Sequence, residues 1–293
     1  MKIATIGAAI AASAISSAVP AQTAAKPIEI LAAENFYGDV ARQIGGSNVE
    51  VTSILNNPNQ DPHLFEISPG VGRVVSSADI VVYSGIDYDP WMESLLRADR
   101  SQTRDVIVVA PLAGREAGDN PHAWYDTQTM LAYAAVLADQ LEARDPAHAT
   151  LYQQNLQAFQ SSIHPIDARI DALRERLAGT PVAATEPIFG YMFDALGMKV
   201  RDLSFQLAVM NDTEPSAQDI AGFENDLRTH AVKLLIYNSQ ATDPTADRMK
   251  EIAATAGVPV AGATETEPAG LTYQAWMNSE LDAVAQALPG TSQ

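Results

Sequence analysis

The sequence predicts an α/β protein with two similar βα lobes, each built on a central, mostly parallel sheet and joined by one long connector helix. Two observations predict this class. In both halves, short apolar segments alternate with helical patterns, which is typical of βαβ units. Between the halves, apolar residues recur at three- to five-residue steps from Ala149 to Leu177. A helix of that length spans roughly 44 Å, which suits a rigid connector.

The beginning of the chain has the pattern of a secretory signal peptide, which we assign to residues 1–21. Lys2 supplies a positive charge, residues 3–19 are small and apolar, and Val19-Pro20-Ala21 offers a cleavage site. The sequence contains no cysteine, which excludes disulfides, thiolate ligands and lipid attachment through an N-terminal cysteine. We therefore expect a soluble periplasmic protein.

The first half is predicted to alternate strands with helices. Asn35 is expected to cap the first helix, in which Phe36, Val40 and Ile44 recur every four residues. The predicted strands are Ile28–Ala32, Val49–Leu55, Ala78–Gly85 and Asp105–Ala110, and the predicted helices are Asn35–Ile44, Val71–Ser77, Pro90–Ala98 and Thr127–Glu142.

The second half repeats this alternation. Its predicted strands are Pro181–Ala184, Val232–Tyr237 and Val258–Ala263, and its predicted helices are Ile188–Leu196, Pro244–Ala256 and Tyr273–Leu288. The expected division of the chain is a first lobe at 22–148, a connector helix at 149–178 and a second lobe at 179–293.

The charge balance is strongly acidic. With 18 Lys and Arg against 36 Asp and Glu, the formal net charge is −18. This charge argues against binding to nucleic acid or to an anionic membrane surface, and it raises the local concentration of cations.

Four side chains form a candidate metal site. His63 and His122 each follow a proline, which stiffens the turn that carries them, and Glu186 and Glu265 each follow an apolar strand. In proteins with parallel sheets, bound molecules and ions lie beyond the carboxyl ends of the strands. Two neutral imidazoles and two carboxylates can chelate Zn²⁺ or Mn²⁺. The other histidines are interpreted as surface or structural residues: His148, His164 and His230.

Three motifs resemble those of the metal-specific substrate-binding proteins of bacterial ABC importers, the zinc and manganese type. Asp61-Pro62-His63 is similar to the family's D-P-H motif, and Asn120-Pro121-His122-Ala123-Trp124 to its N-P-H-x-W motif. The segment from Thr185 to Tyr191 resembles the one that carries the third ligand, and the long connector is also typical of the family.

The resemblance implies a metal carrier that delivers a divalent ion to an ABC permease at the inner membrane. Zinc-type members usually have histidine at the third ligand, whereas manganese-type members have glutamate, as here in Glu186. The fourth ligand in the family is commonly aspartate, and this chain offers Glu265, with Glu267 as the alternative. Oxygen donors favour manganese or ferrous iron over zinc. We expect one bound ion, Mn²⁺ or Zn²⁺ with Fe²⁺ as a further option, on a monomeric protein that is not an enzyme.

Other functions are compatible with the same residues. A metal-dependent hydrolase would use three of the ligands and a bound water, with Glu265 or Glu267 as general base, but the chain has no H-E-x-x-H signature. A binding protein for an organic ligand could line its pocket with Trp91, Trp124 and Trp276. For an adhesin role, the sequence offers no surface-anchoring signal.

Overall fold

The first half of the chain folds around a four-stranded parallel sheet. The computed structural model describes residues 26–57, 65–211, 213–241 and 243–289. The strands are β1 (Ile28–Glu34), β2 (Val49–Leu55), β3 (Ile80–Tyr83) and β4 (Asp105–Val108). Their order in the sheet is β2-β1-β3-β4, and every pair is parallel. Parallel neighbours require crossover connections, which the helices of this half supply.

Four helices connect the strands of this sheet and follow it. They are α1 (Asn35–Gly45), α2 (Pro69–Ser77), α3 (Pro90–Ala98) and α4 (Thr127–Arg144). Helix α1 buries Phe36, Val40 and Ile44, the periodic positions of the sequence. Helix α4 begins where the side chain of Asp126 accepts a hydrogen bond from the backbone N–H of Gln128, which is an N-cap.

Helix α5 (Ala149–Leu177) is 29 residues long and separates the two sheets along the chain. It packs against α1 and α4 on one side and against later helices of the second half on the other. The helix continues through Pro165, which lies exposed. Its first buried position is Tyr152, whereas the neighbouring Leu151 faces solvent, contrary to the apolar pattern.

The second half repeats the topology of the first. Its strands are β5 (Pro181–Ala184), β6 (Lys199–Val200), β7 (Leu235–Asn238) and β8 (Val260–Ala263), and its helices are α6 (Gly190–Ala195), α7 (Leu203–Met210), α8 (Ala217–Arg228), α9 (Pro244–Ala256) and α10 (Tyr273–Ala287). The sheet order is β6-β5-β7-β8, again parallel throughout. This order corresponds to that of the first sheet, so the two halves are similar lobes.

One apolar core runs through both lobes. It contains Ile30 and Val82 of the first sheet, Val182 and Ile236 of the second, and Ile163 of α5 between them. Smaller clusters cover the outer face of each sheet. Within the described ranges, no helix has both the length and the apolar character needed to cross a membrane.

The predicted fold class is confirmed. Helices α3, α5 and α9 and strands β2 and β5 have the predicted bounds. The prediction that Asn35 caps α1 is wrong: Glu34 occupies the cap position, and the Asn35 amide bonds instead to the backbone of Glu267 in the other lobe. The proposed domain boundaries stay a prediction, and the signal peptide lies outside the described residues.

Candidate metal centre

His122 lies at the end of the long connection that follows β4, just before a short 3-10 turn at Ala123–Tyr125. Its side chain is fully buried. The ring packs edge-on against Trp124, with ring centres 5.2 Å apart, and against Tyr88 at 5.9 Å. These contacts fix the plane of the imidazole, so that Nε2 points towards the second lobe, where it lies 3.8 Å from Glu265 Oε2.

Glu186 and Glu265 follow the carboxyl ends of β5 and β8, which lie on either side of β7 in the second sheet. Glu186 follows β5 in extended backbone, and Pro187 starts a 3-10 turn directly after it. Glu265 follows β8 by two residues. Both side chains are buried, at 2% and 0% exposure. Buried carboxylates need compensating charge or hydrogen-bond donors, and both have such donors.

Asn238, the last residue of β7, joins the two carboxylates. Its side-chain amide donates to Glu186 Oε2 at 3.2 Å and also to Glu265 Oε1. The Tyr88 hydroxyl of the first lobe donates to Glu265 Oε2 at 2.8 Å. The structure therefore brings His122, Glu186 and Glu265 to one buried cleft between the lobes. Within the described ranges, no three His, Asp or Glu side chains already stand in a metal-binding arrangement.

His63 falls outside the described residues, so its predicted place beside His122 stays a prediction. The same holds for the D-P-H motif around it.

A glutamine holds the backbone that carries Glu265. Gln240 Oε1 accepts hydrogen bonds from the backbone N–H groups of Glu265 at 2.6 Å and Thr266 at 2.9 Å. Its own backbone N–H donates to Asn238 Oδ1 at 3.0 Å. The sequence alone predicts no role for Asn238, Gln240 or Tyr88. The available signal was the polar stretch Asn238-Ser239-Gln240 at the end of an apolar strand, the same position in a parallel sheet that identified the glutamates.

Glu267, the alternative fourth ligand, faces elsewhere. Its backbone N–H donates to Asn35 Oδ1 at 2.9 Å, and its carbonyl accepts from Asn35 Nδ2 at 2.6 Å. Burial, and then the nearby charge of Asp39, raises the pKa of Glu267 to about 9, whereas Arg42 lowers it. The carboxyl group thus lies among α1 side chains, and the geometry favours Glu265 over Glu267 as the partner of His122.

Acidic groups accumulate around the cleft. Burial and the Glu265 carboxylate raise the pKa of the Tyr88 hydroxyl well above its ordinary value. Burial also raises the pKa of Asp89 to about 7 and, together with the charge of Asp89, that of Glu34 well above its ordinary value. Raised pKa values favour the protonated, neutral forms of these groups, and a bound divalent cation would favour their ionised forms.

The remaining histidines lie on the surface, and the tryptophans pack against other side chains. His148, His164 and His230 are exposed, as predicted. Trp124 and Trp276 are fully buried and pack in the common core, and Trp91 packs on Phe65 with ring centres 4.6 Å apart. This packing leaves Trp124 and Trp276 no surface for an organic ligand.

The chain is similar along most of its length to known metal-transport proteins. It is 24% identical over 291 residues to the metal ABC transporter substrate-binding lipoprotein SloC of Streptococcus mutans, covering 91% of this chain and 92% of SloC. It is 24% identical over 290 residues to the manganese ABC transporter substrate-binding lipoprotein PsaA of Streptococcus anginosus, covering 91% of each.

A solved structure has the same fold. The periplasmic zinc binding protein TroA from Treponema pallidum matches with a TM-score of 0.76 at 20% identity, over 90% of this chain and 99% of TroA. The family model described as the periplasmic zinc-uptake complex component A, ZnuA, matches residues 30–287. Because that match covers most of the sequence, the chain belongs to the ZnuA family of periplasmic zinc-uptake components.

Proposed function

We propose that the protein is an extracytoplasmic solute-binding protein that captures one divalent transition metal ion, Mn²⁺ or Zn²⁺, between its lobes and delivers it to an ABC permease. The observation that carries the proposal is the buried meeting of His122 with Glu265, and through Asn238 with Glu186. Relatives named for manganese and metal transport support it.

The proposed ligands are His63, His122, Glu186 and Glu265. Two carboxylates cancel the double charge of the ion, so the filled site is close to neutral and its burial costs little. Four protein ligands also leave no open coordination position for an activated water, which favours carriage over catalysis. The metal-loaded protein should therefore not turn over esters, phosphoesters or peptides.

The proposal extends to location and partners. The family and the named relatives support a place outside the cytoplasm, where a monomer would meet the permease at the inner membrane. Fe²⁺ is a further candidate ion, because carboxylate and imidazole donors also suit ferrous iron.

A metal titration of chelator-stripped protein tests the proposal. We expect one ion per chain and a severe loss of affinity in His63→Ala and in His122→Ala. His164→Ala is the matched control, because it removes an exposed imidazole from α5. Binding by both ligand variants at wild-type strength would place the site elsewhere.

A further inference from the structure

Asn120 stands two residues before His122 and contacts three separate groups. Its Oδ1 accepts a hydrogen bond from the backbone N–H of His122 at 3.1 Å and lies 2.7 Å from the Nδ1 atom of the same residue. Its Nδ2 donates to the carbonyl of Pro187 at 2.6 Å. Pro187 directly follows Glu186, so one amide touches both sides of the cleft.

These contacts determine which way the amide points. A backbone N–H can only donate and a carbonyl can only accept, so the atom facing His122 must be the oxygen and the atom facing Pro187 the nitrogen. An amide oxygen can only accept. His122 Nδ1 must therefore carry the proton, which leaves the lone pair of the neutral ring on Nε2, the atom that faces Glu265.

We propose that Asn120 is a positioning residue, which holds His122 in the tautomer that can bind metal and ties its loop to the segment that carries Glu186. The proposal rests on the proposed function for the identity of the bound ion. Metal-binding histidines commonly donate their other ring N–H to a fixed acceptor, and loss of that acceptor typically lowers metal affinity by about 10- to 100-fold.

Gly190 provides an independent observation. A Cβ at this position would lie 2.5 Å from Asn120 Nδ2, so the close approach of the amide requires glycine. The backbone of Gly190 is ordinary right-handed helix, with φ −55° and ψ −50°. Alanine is therefore compatible with the backbone, and Gly190→Ala acts on the site through the Asn120 amide.

Two measurements on the full chain test the inference. The first is the tautomer of His122 in metal-free protein at pH 8, read from ¹⁵N shifts of the ring nitrogens. The second is the affinity for Mn²⁺ and for Zn²⁺. We expect the Nδ1–H tautomer in the wild type and in Asn120→Asp, which keeps an acceptor. In Asn120→Ala we expect Nε2–H to become populated and affinity to fall by about 10- to 100-fold.

Gly190→Ala should lower affinity by several-fold. Its matched control is Gly222→Ala in α8, where an added Cβ meets nothing within 4 Å. Wild-type tautomer and affinity in Asn120→Ala, with binding abolished in His122→Ala, would overturn the role of Asn120 and leave the proposed function intact. A wild type that binds neither metal would instead refute the proposed function, and the tautomer measurement would still decide whether Asn120 fixes His122.

Discussion

In the proposed site, the choice of metal should depend on the donor at position 186. Glu186 presents a hard oxygen to the cleft and is held by Asn238 at 3.2 Å. Replacing it by histidine would give three imidazoles and one carboxylate, a set that suits zinc, and would raise the charge of the filled site by one.

Glu186→His should therefore lose affinity for manganese far more than for zinc. The discrimination should reach roughly one to two decades, at about 1.4 kcal/mol per decade. Competition titrations of both proteins with both ions measure it, with the exposed Glu175→His in α5 as control. Equal losses for the two ions would mean that residue 186 is not a ligand or that donor type does not set selectivity.

The buried acids of the first lobe make the stability of the metal-free protein depend on pH. Asp89 accepts hydrogen bonds from the backbone N–H groups of Ser84 at 2.6 Å and Gly85 at 2.8 Å, yet burial raises its pKa to about 7. Burial and the charge of Asp89 also raise the pKa of Glu34 well above its ordinary value. Folded protein thus holds protons that the unfolded chain releases above about pH 4. Stability contributed by these groups is highest at low pH and falls as pH rises through 7.

Glu34→Gln removes one of these titrations, and its amide can donate to Asp89. Between pH 5 and pH 8 the free energy of unfolding should fall less in this variant than in the wild type, because the variant lacks one group whose pKa is raised by folding. Urea unfolding of chelator-treated protein provides the comparison, and Glu50→Gln, at an exposed position, is the control. Parallel pH curves for Glu34→Gln and wild type would show that Glu34 is ionised in the folded state.

Some site residues were within reach of sequence reasoning and others were not. His122, Glu186 and Glu265 follow prolines or strand ends, where local rules apply. Asn35 has a good capping side chain at the right place, but its amide bonds to Glu267, 232 residues away. Contacts of that range depend on how the lobes pack, and no local pattern encodes them.

At the scale of elements, long periodic helices and apolar strands were predictable, and short or unpatterned ones were not. Strand β6 has only two residues. Helix α7 is apolar on all sides and has no face that a periodicity would reveal, and both it and α8 went unpredicted. Helix α9 ends directly before Gly257, whose φ of 78° is a conformation that favours glycine.

Pro165 weakens α5 at an exposed position. A proline inside a helix has no N–H for the carbonyl four residues earlier, and its ring crowds that carbonyl. Pro165→Ala should restore the hydrogen bond and raise the free energy of unfolding by about 1–3 kcal/mol. Thermal unfolding measures the gain against Gln154→Ala, an exposed change on the same helix. An unchanged or lower melting temperature would indicate that the proline-adapted shape of α5 is needed for packing between the lobes.

At the scale of the molecule, the lobes are bonded to each other directly. The Tyr125 hydroxyl donates to the carbonyl of Thr264 at 2.8 Å, and the Tyr273 hydroxyl donates to that of Trp124 at 2.8 Å. Together with the shared core and the packing of α5 on helices of both lobes, these bonds resist hinge bending.

Metal loading should therefore change the overall shape little, with the main effect on loops near His122 and Glu265. Small-angle scattering of the same sample with and without metal should give nearly equal radii of gyration. A decrease of several per cent on loading would indicate hinge closure and count against α5 as a rigid connector.

The most direct test of the metal centre is anomalous diffraction from crystals of the metal-loaded protein, recorded at the absorption edges of manganese and zinc. We expect one strong peak between the lobes. For zinc it should lie about 2.0–2.2 Å from His122 Nε2 and from carboxylate oxygens of Glu186 and Glu265, with His63 completing the set. A peak bound by Glu267 instead of Glu265, or at an exposed histidine such as His148 with none in the cleft, would contradict the assigned centre.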